Sequence, residues 1–203
     1  MIMDKKLIHQ GIETLSLIDQ DIAQAVKQYG LPDGRTYPKG FEAFLFTIIS
    51  QQLSTKVAIA ITDRVLALMP ACTPEQFIQI PTQALRDAGL SHRKIEYTQG
   101  IATAALEGNF DIDGLQHLDD ERAIKTIINM RGLGRWSAEI YLMFALDRRD
   151  IFPADDLGVL LGLQKLKGLA SKPSPKEARD MVTHWAPWRS VGSLFLWHYY
   201  HQN

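Results

Sequence analysis

Met130-Arg131-Gly132-Leu133-Gly134 is the turn on which the fold reading depends. A helical segment from Glu121 to Asn129 precedes it. A second helix, Arg135 to about Asp147, follows, and then comes Phe152-Pro153-Ala154-Asp155-Asp156-Leu157. Two glycines one residue apart let the backbone take positive φ and approach a ligand closely, and the next helix points its unpaired N–H groups back at the turn. Such a corner suits an anion, above all a phosphate. The carboxylate pair Asp155-Asp156 can supply chemistry there if the fold returns it beside that corner.

Working outward, Ile8, Ile12, Leu15, Ile18, Ile22, Val26 and Tyr29 recur at helical spacing, which predicts one amphipathic helix over Leu7 to Tyr29 with room for a break in the middle. Leu31 to Gly40 is the clearest loop. Phe41 to Ile49 is apolar nearly all round, as a central core helix is. It stops at the polar break Ser50-Gln51-Gln52-Leu53-Ser54, and Ser54 caps a helix over Thr55 to Met69. Thr73-Pro74-Glu75-Gln76 starts a short helix, Thr82 to Asp87 forms another, and Ser91 caps a helix ended by Gly108. That helix carries His92, Arg93 and Lys94 in its first turn, where the helix dipole disfavours cations; a negative partner would explain them, although three exposed basic residues by themselves are usually only a solvated face. Beyond the central stretch the pattern predicts helices over Leu157 to about Leu166, from Ser174 to about Trp185, and from Trp188 to Tyr200.

No segment alternates with period two, and about ten helical segments are separated by short polar connections, so the fold class is all-α. The chain of 203 residues, 46% apolar, can bury a sizeable core as one or two compact domains. The loop at 31–40 and the turn at Pro153 suggest one unit with two lobes: a middle lobe of about 40–150 holding the hairpin, and a second of about 1–30 plus 151–203. A net charge of −1 means that nucleic-acid binding would rest on local clusters. The single cysteine, Cys72, excludes an internal disulfide and a four-cysteine iron–sulfur cluster, and fits a reducing cytoplasm. Met1 to Lys6 leads into an amphipathic pattern with no leader-type apolar stretch. No apolar run approaches the ~18 residues of a membrane span. A cytoplasmic protein with no membrane partner is expected.

The run Met130 to Ala138 resembles the helix-hairpin-helix motif of DNA repair glycosylases: hydrophobic, any, Gly, hydrophobic, Gly, two variable residues, Ser or Thr, Ala. Further matches occur in order: Gln51-Gln52-Leu53-Ser54, Gly89-Leu90-Ser91-x-x-Lys94, Phe152-Pro153-x-Asp155-Asp156, Trp188-Arg189-Ser190 and Trp197. Together they look like the bacterial 3-methyladenine-DNA glycosylase II family over roughly residues 40 to 200. The chain is too short for the N-terminal β domain of some members.

The resemblance implies a two-lobed helical bundle with a cleft between the lobes. It also implies a monomer that acts on double-stranded DNA carrying alkylated bases and needs no cofactor. A phosphate would sit on N–H groups at Gly132, Leu133, Gly134 and Arg135. Carbonyls of Ile128, Met130 and Leu133 would hold a structural sodium or potassium ion. The bland alternative is that the two glycines merely let two helices turn sharply. Asp156 aligns with the essential aspartate, whose carboxylate stabilises an oxocarbenium-like sugar and orients water, and Asp155 is left as the helix cap. An alkylated purine already carries positive charge and leaves readily, so one carboxylate suffices. Bifunctional relatives carry a lysine two residues after the second glycine. Trp136 stands there, which implies a monofunctional hydrolase.

Gln52 aligns with the residue that fills the gap left by the flipped base, its bland reading being a solvent-exposed loop glutamine, and Ser54 lies on the same turn. Trp136 and Trp197 match aromatic positions around the base pocket, although either could be plain core. Ile140 and Leu157 stand where some members place tyrosines, so base identity is not implied. Two other readings stay open: a non-catalytic DNA-binding module, for which Asp156 would be idle, and a glycosylase for mismatched or oxidised bases.

Overall fold

A computed structural model of the protein describes residues 5–34 and 36–202. Of the expectations above, the leader reading at Met1 to Asp4 and the loop position Arg35 lie outside the described residues. All regular structure among the described residues is helical: α1 (Lys5–Ile18), α2 (Gln20–Tyr29), α3 (Gly40–Ser50), α4 (Thr55–Leu66), α5 (Pro74–Ile78), α6 (Thr82–Asp87), α7 (His92–Leu106), α8 (Asp120–Ile128), α9 (Arg135–Phe144), α10 (Leu157–Leu166), α11 (Pro175–Met181) and α12 (Arg189–His201), with 3-10 turns at Asp113–His117 and Thr183–Trp185. No described helix is long and apolar enough to cross a membrane.

Local chemistry sets most boundaries. Ser54, Thr73, Ser91 and Ser174 each accept a backbone N–H three residues on, and Ser174 with Glu177 completes a capping box. The break allowed for in the first helix falls at Asp19, whose extended backbone starts α2 and whose carboxylate caps it. Three boundaries differ from expectation. The helix expected from Ser174 to about Trp185 ends at Met181 and is followed by a 3-10 turn at Thr183–Trp185. α4 tightens after Leu66, where Leu68 and Met69 donate to carbonyls three residues back. α9 ends at Phe144 and not near Asp147, which takes φ +55°. The 3-10 turn at 113–117 was not anticipated; Asp111 Oδ1 accepts Gly114 N–H at 2.8 Å and organises it.

Contacts divide the chain into two compact units, one running up to Tyr37 and resuming at Leu142, the other Pro38–Tyr141. The seam falls inside α9. In the 38–141 unit, α3 is the core: Ala43, Phe44, Leu45, Ile48 and Ile49 are fully buried, and α4 and α7 pack on it. Phe44 stacks on Tyr141 with ring centroids 4.1 Å apart and meets Phe110 at 5.4 Å.

In the other unit α12 is central, with α10 and α1 packed on it. Both approaches depend on a small residue. A Cβ at Gly162 would lie 2.5 Å from Leu196 O, and one at Gly11 would lie 2.9 Å from Trp188 and Val191. Beside them, the buried Asp19 carboxylate accepts Trp185 Nε1 at 2.7 Å and Lys167 Nζ at 2.7 and 2.8 Å, and His184 Nε2 lies 3.1 Å away.

Candidate functional site

The hairpin belongs to the 38–141 unit up to Tyr141. Asp119 caps α8, Met130 N–H donates to Ile127 O at 3.0 Å, and Leu133 N–H donates to Met130 O at 3.1 Å. Gly134 O then accepts Ala138 N–H at 3.1 Å, and α9 begins. Of the two glycines only Gly132 takes positive φ, at +93°; Gly134 is not in that region. A Cβ at Gly132 would also fall 2.3 Å from ring carbons of Tyr97, while one at Gly134 would meet nothing within 4 Å. The protein's own packing therefore demands Gly132 and leaves Gly134 facing open space. Leu133 is buried and anchors the turn.

Tyr97, which the sequence did not single out, supports this turn from α7. Its hydroxyl accepts Arg93 Nη2 at 2.9 Å, and the guanidinium carbons of Arg93 and Arg131 lie 5.8 and 5.7 Å from its ring centroid. Arg131 pairs with Glu96. Arg135 donates to Glu139 at 2.9 Å and to Glu121 at 3.2 Å. Burial acts to lower the Arg135 pKa, but these carboxylates outweigh it and raise it. The guanidinium is thus already matched by two carboxylates, and what Arg135 offers an anion is chiefly its backbone N–H.

Of the three basic residues in the first turn of α7, His92 and Arg93 are exposed, and Lys94 meets the end of a helix. Lys94 Nζ donates to Ile49 O at 2.8 Å and Gln51 O at 2.9 Å, at the C-terminal end of α3. Burial lowers the Lys94 pKa. The turn so held contains Gln52, exposed and at φ +60°, and leads to Ser54, which caps α4 by accepting Val57 N–H at 3.5 Å. Gln51 Nε2 donates to Gly132 O at 2.9 Å, so the structure brings the Gln52 turn and the hairpin turn together.

Asp156 lies in the other unit. It immediately precedes α10, and its Oδ1 accepts Val159 N–H at 3.0 Å. The capping role assigned to Asp155 therefore belongs to Asp156, because Asp156 stands one residue before the first helical position. Asp155 is exposed and pairs with Arg179 at 3.6 Å. The same Asp156 Oδ1 accepts Trp197 Nε1 at 2.8 Å, and Gly158 makes room for that indole, since a Cβ there would lie 3.0 Å from Trp197 Cδ1.

Trp197 stacks on Phe144 at 5.8 Å, and Phe144 stacks on Tyr37 at 5.4 Å. Phe144 and Tyr37 escaped the sequence reading because neither stands near the motif that carries Asp156. Arg189 and Ser190 on α12 pin the segment entering the site: Arg189 grips Asp150 bidentately at 2.7 and 2.6 Å, and Ser190 Oγ accepts Ile151 N–H at 2.9 Å while lying 2.7 Å from Arg148 O. Trp197 and Asp156, two of the residues singled out in the sequence, thus meet. Trp136 is half-buried in the first turn of α9, Ile140 is buried, and Leu157, next to Asp156, is an exposed apolar residue. No group of three or more metal-ligating side chains occurs among the described residues.

Residues 45–187 match the family described as HhH-GPD superfamily base excision DNA repair protein. The chain is 32% identical over 165 residues to the putative DNA-3-methyladenine glycosylase YfjP of Bacillus subtilis, covering 77% of this chain and 58% of that one. It is 30% identical over 190 residues to DNA-3-methyladenine glycosylase 1 of Schizosaccharomyces pombe, covering 90% and 83% respectively. The solved structure of the fission yeast 3-methyladenine DNA glycosylase Mag1 in complex with abasic DNA superposes with a TM-score of 0.86 at 29% identity, covering 93% of this chain and 95% of that one. The chain therefore spans little more than half the length of the Bacillus relative and most of the yeast one.

Proposed function

The chain belongs to the HhH-GPD superfamily of base excision DNA repair proteins, and from that premise we propose that it is a monofunctional DNA glycosylase that hydrolyses the N-glycosidic bond of alkylated purines, 3-methyladenine foremost. The observation that carries the reading is the Asp156 carboxylate, fixed by a helix N–H and an indole N–H at the edge of a stack of three aromatic rings.

A phosphate of the duplex backbone is bound by N–H groups of residues 132–135, where open space beside Gly134 admits it. The damaged nucleotide leaves the stack and Gln52 fills the gap. The cationic base is gripped by aromatic faces, Trp197 among them. As the C1′–N bond breaks, its electron pair leaves with the base and neutralises it. The sugar becomes oxocarbenium-like and Asp156 stabilises it. Water oriented by the same carboxylate adds at C1′ and gives up a proton, leaving an abasic site. With Trp136 where a lyase has lysine, no Schiff base forms at that position. The monovalent cation implied by the hairpin would be held by the carbonyls of Ile128, Met130 and Leu133. Neutral oxygens at a helix end suit it, and Met130 O has a second lone pair beside the one used by Leu133 N–H.

Incubating the pure protein with duplex DNA methylated by dimethyl sulfate, and chromatographing the released bases, tests the reading. 3-Methyladenine is the expected product. Duplex binding without release of any base would reduce the protein to a binding module, and release only from oxidised or mismatched DNA would change the substrate class.

Two further outcomes follow from the geometry. Gly132→Ala forces a side chain into positive φ and against Tyr97, so thermal melts should show a loss of about 3 kcal/mol. Gly134→Ala should change stability by no more than about 0.5 kcal/mol yet weaken duplex binding about tenfold in fluorescence anisotropy, because its methyl stands where the phosphate docks. Equal effects of the two on stability would contradict this assignment. Trp197→Phe keeps a ring for the stack but removes the donor to Asp156 Oδ1, and should slow single-turnover base release about tenfold.

A further inference from the structure

Gln52 and Asp147 are the two non-glycine residues at positive φ among the described residues. A glycine would take the Gln52 conformation at less cost, so its surroundings must impose it. Lys94 does so directly. Its ammonium reaches from α7 to bond both Ile49 O and Gln51 O, and Gln51 O belongs to the peptide plane whose rotation defines the φ of Gln52. Holding that oxygen holds the torsion. The Gln51 side chain adds a second restraint, its bond to Gly132 O joining this turn to the hairpin. Just beyond, Leu53 and Val57 are 38% and 45% exposed, so the turn projects as a polar tip on an apolar base. Such a shape suits entry between base pairs.

We infer that Lys94 and Gln51 are positioning residues for nucleotide extrusion: they lock the Gln52 turn in the conformation that enters the duplex and register it against the phosphate-binding hairpin. The inference rests on the glycosylase reading. Neither residue contacts the reacting bond, so losing Lys94 acts through Gln52 and matters only while Gln52 is present. A merely structural lysine would lower activity equally with or without Gln52.

The test is a double-mutant cycle of Lys94→Met and Gln52→Ala, read as single-turnover release of alkylated purines from methylated duplex. Each single substitution should slow release about tenfold, and the double variant should be no more than about twofold slower than Gln52→Ala alone. A full tenfold effect of Lys94→Met in the Gln52→Ala background overturns the inference while leaving the glycosylase reading intact. Should Lys94→Met not fold, as judged by circular dichroism, Gln51→Met takes its place in the same cycle under the same criterion. A wild-type protein that releases no base overturns the glycosylase reading and this inference with it.

Discussion

Asp156→Asn should lower base release about a thousandfold, roughly 4 kcal/mol of transition-state stabilisation, while the melting temperature should stay within about 2 °C of wild type. The two halves of this expectation have separate causes. An asparagine oxygen can still accept Val159 N–H and Trp197 Nε1, two bonds that help hold the side chain in place. Asn is also as good a helix cap as Asp, so the start of α10 survives. What disappears is the negative charge that the proposed mechanism sets against the positive sugar. Asp156→Ala would confuse the two effects, since it removes the cap, worth about 1 kcal/mol, and leaves the Trp197 indole without this acceptor. Single-turnover chromatography of released bases, with a thermal melt on the same preparations, separates them. If Asn at 156 releases base at the wild-type rate, the carboxylate is only a cap.

Asp19→Ala should destabilise the protein by about 4 kcal/mol in urea titrations without bearing on the reaction chemistry. Asp19 is buried and its oxygens accept Asp21 N–H at 3.1 Å, Lys167 Nζ at 2.7 and 2.8 Å, and Trp185 Nε1 at 2.7 Å. Removing it takes away the cap of α2, one of the carboxylates on Lys167, and the acceptor for a fully buried indole. Asp19→Asn keeps the cap but not the charge.

Burial by itself would raise the Asp19 pKa. Hydrogen bonds from Lys167 and Trp185, the Lys167 charge and the His184 contact outweigh it and bring the pKa from an ordinary 3.8 down to about 2. Because the folded value is the lower one, the charge-dependent stabilisation is complete above about pH 4 and is lost as pH falls through about 2. The stability gap between wild type and Asp19→Asn should therefore narrow between pH 5 and pH 2. A gap that stays constant over that interval would show that the carboxylate charge is not what the cluster holds.

Asp19 also shows how far the sequence could be read. The stripe over Leu7 to Tyr29 left room for a break in the middle without placing it at Asp19, and nothing nearby in the chain showed that Lys167, His184 and Trp185 would converge there. Lys94 is similar: a negative partner would explain its unfavourable position in the first turn of α7, and the partner was the carbonyl end of α3, 45 residues earlier at Ile49. Tyr97 gave no signal, because its role depends on a glycine on another helix pair that leaves no room for a Cβ.

The order of helices, most of their caps and the hairpin turn were determined by the sequence itself. Caps and turns close hydrogen bonds over three or four residues, so the residues that make them sit side by side in the chain. Tertiary structure decided which partner each remaining polar group takes. Asp155 and Asp156 precede the same apolar run, and the cap was misplaced between them by one residue of local register; what the chain did not show is the Trp197 indole that also bonds Asp156, 41 residues away in sequence and brought to it as α12 packs on α10. That packing in turn needs Gly162 to be small, a requirement set by the Leu196 carbonyl opposite.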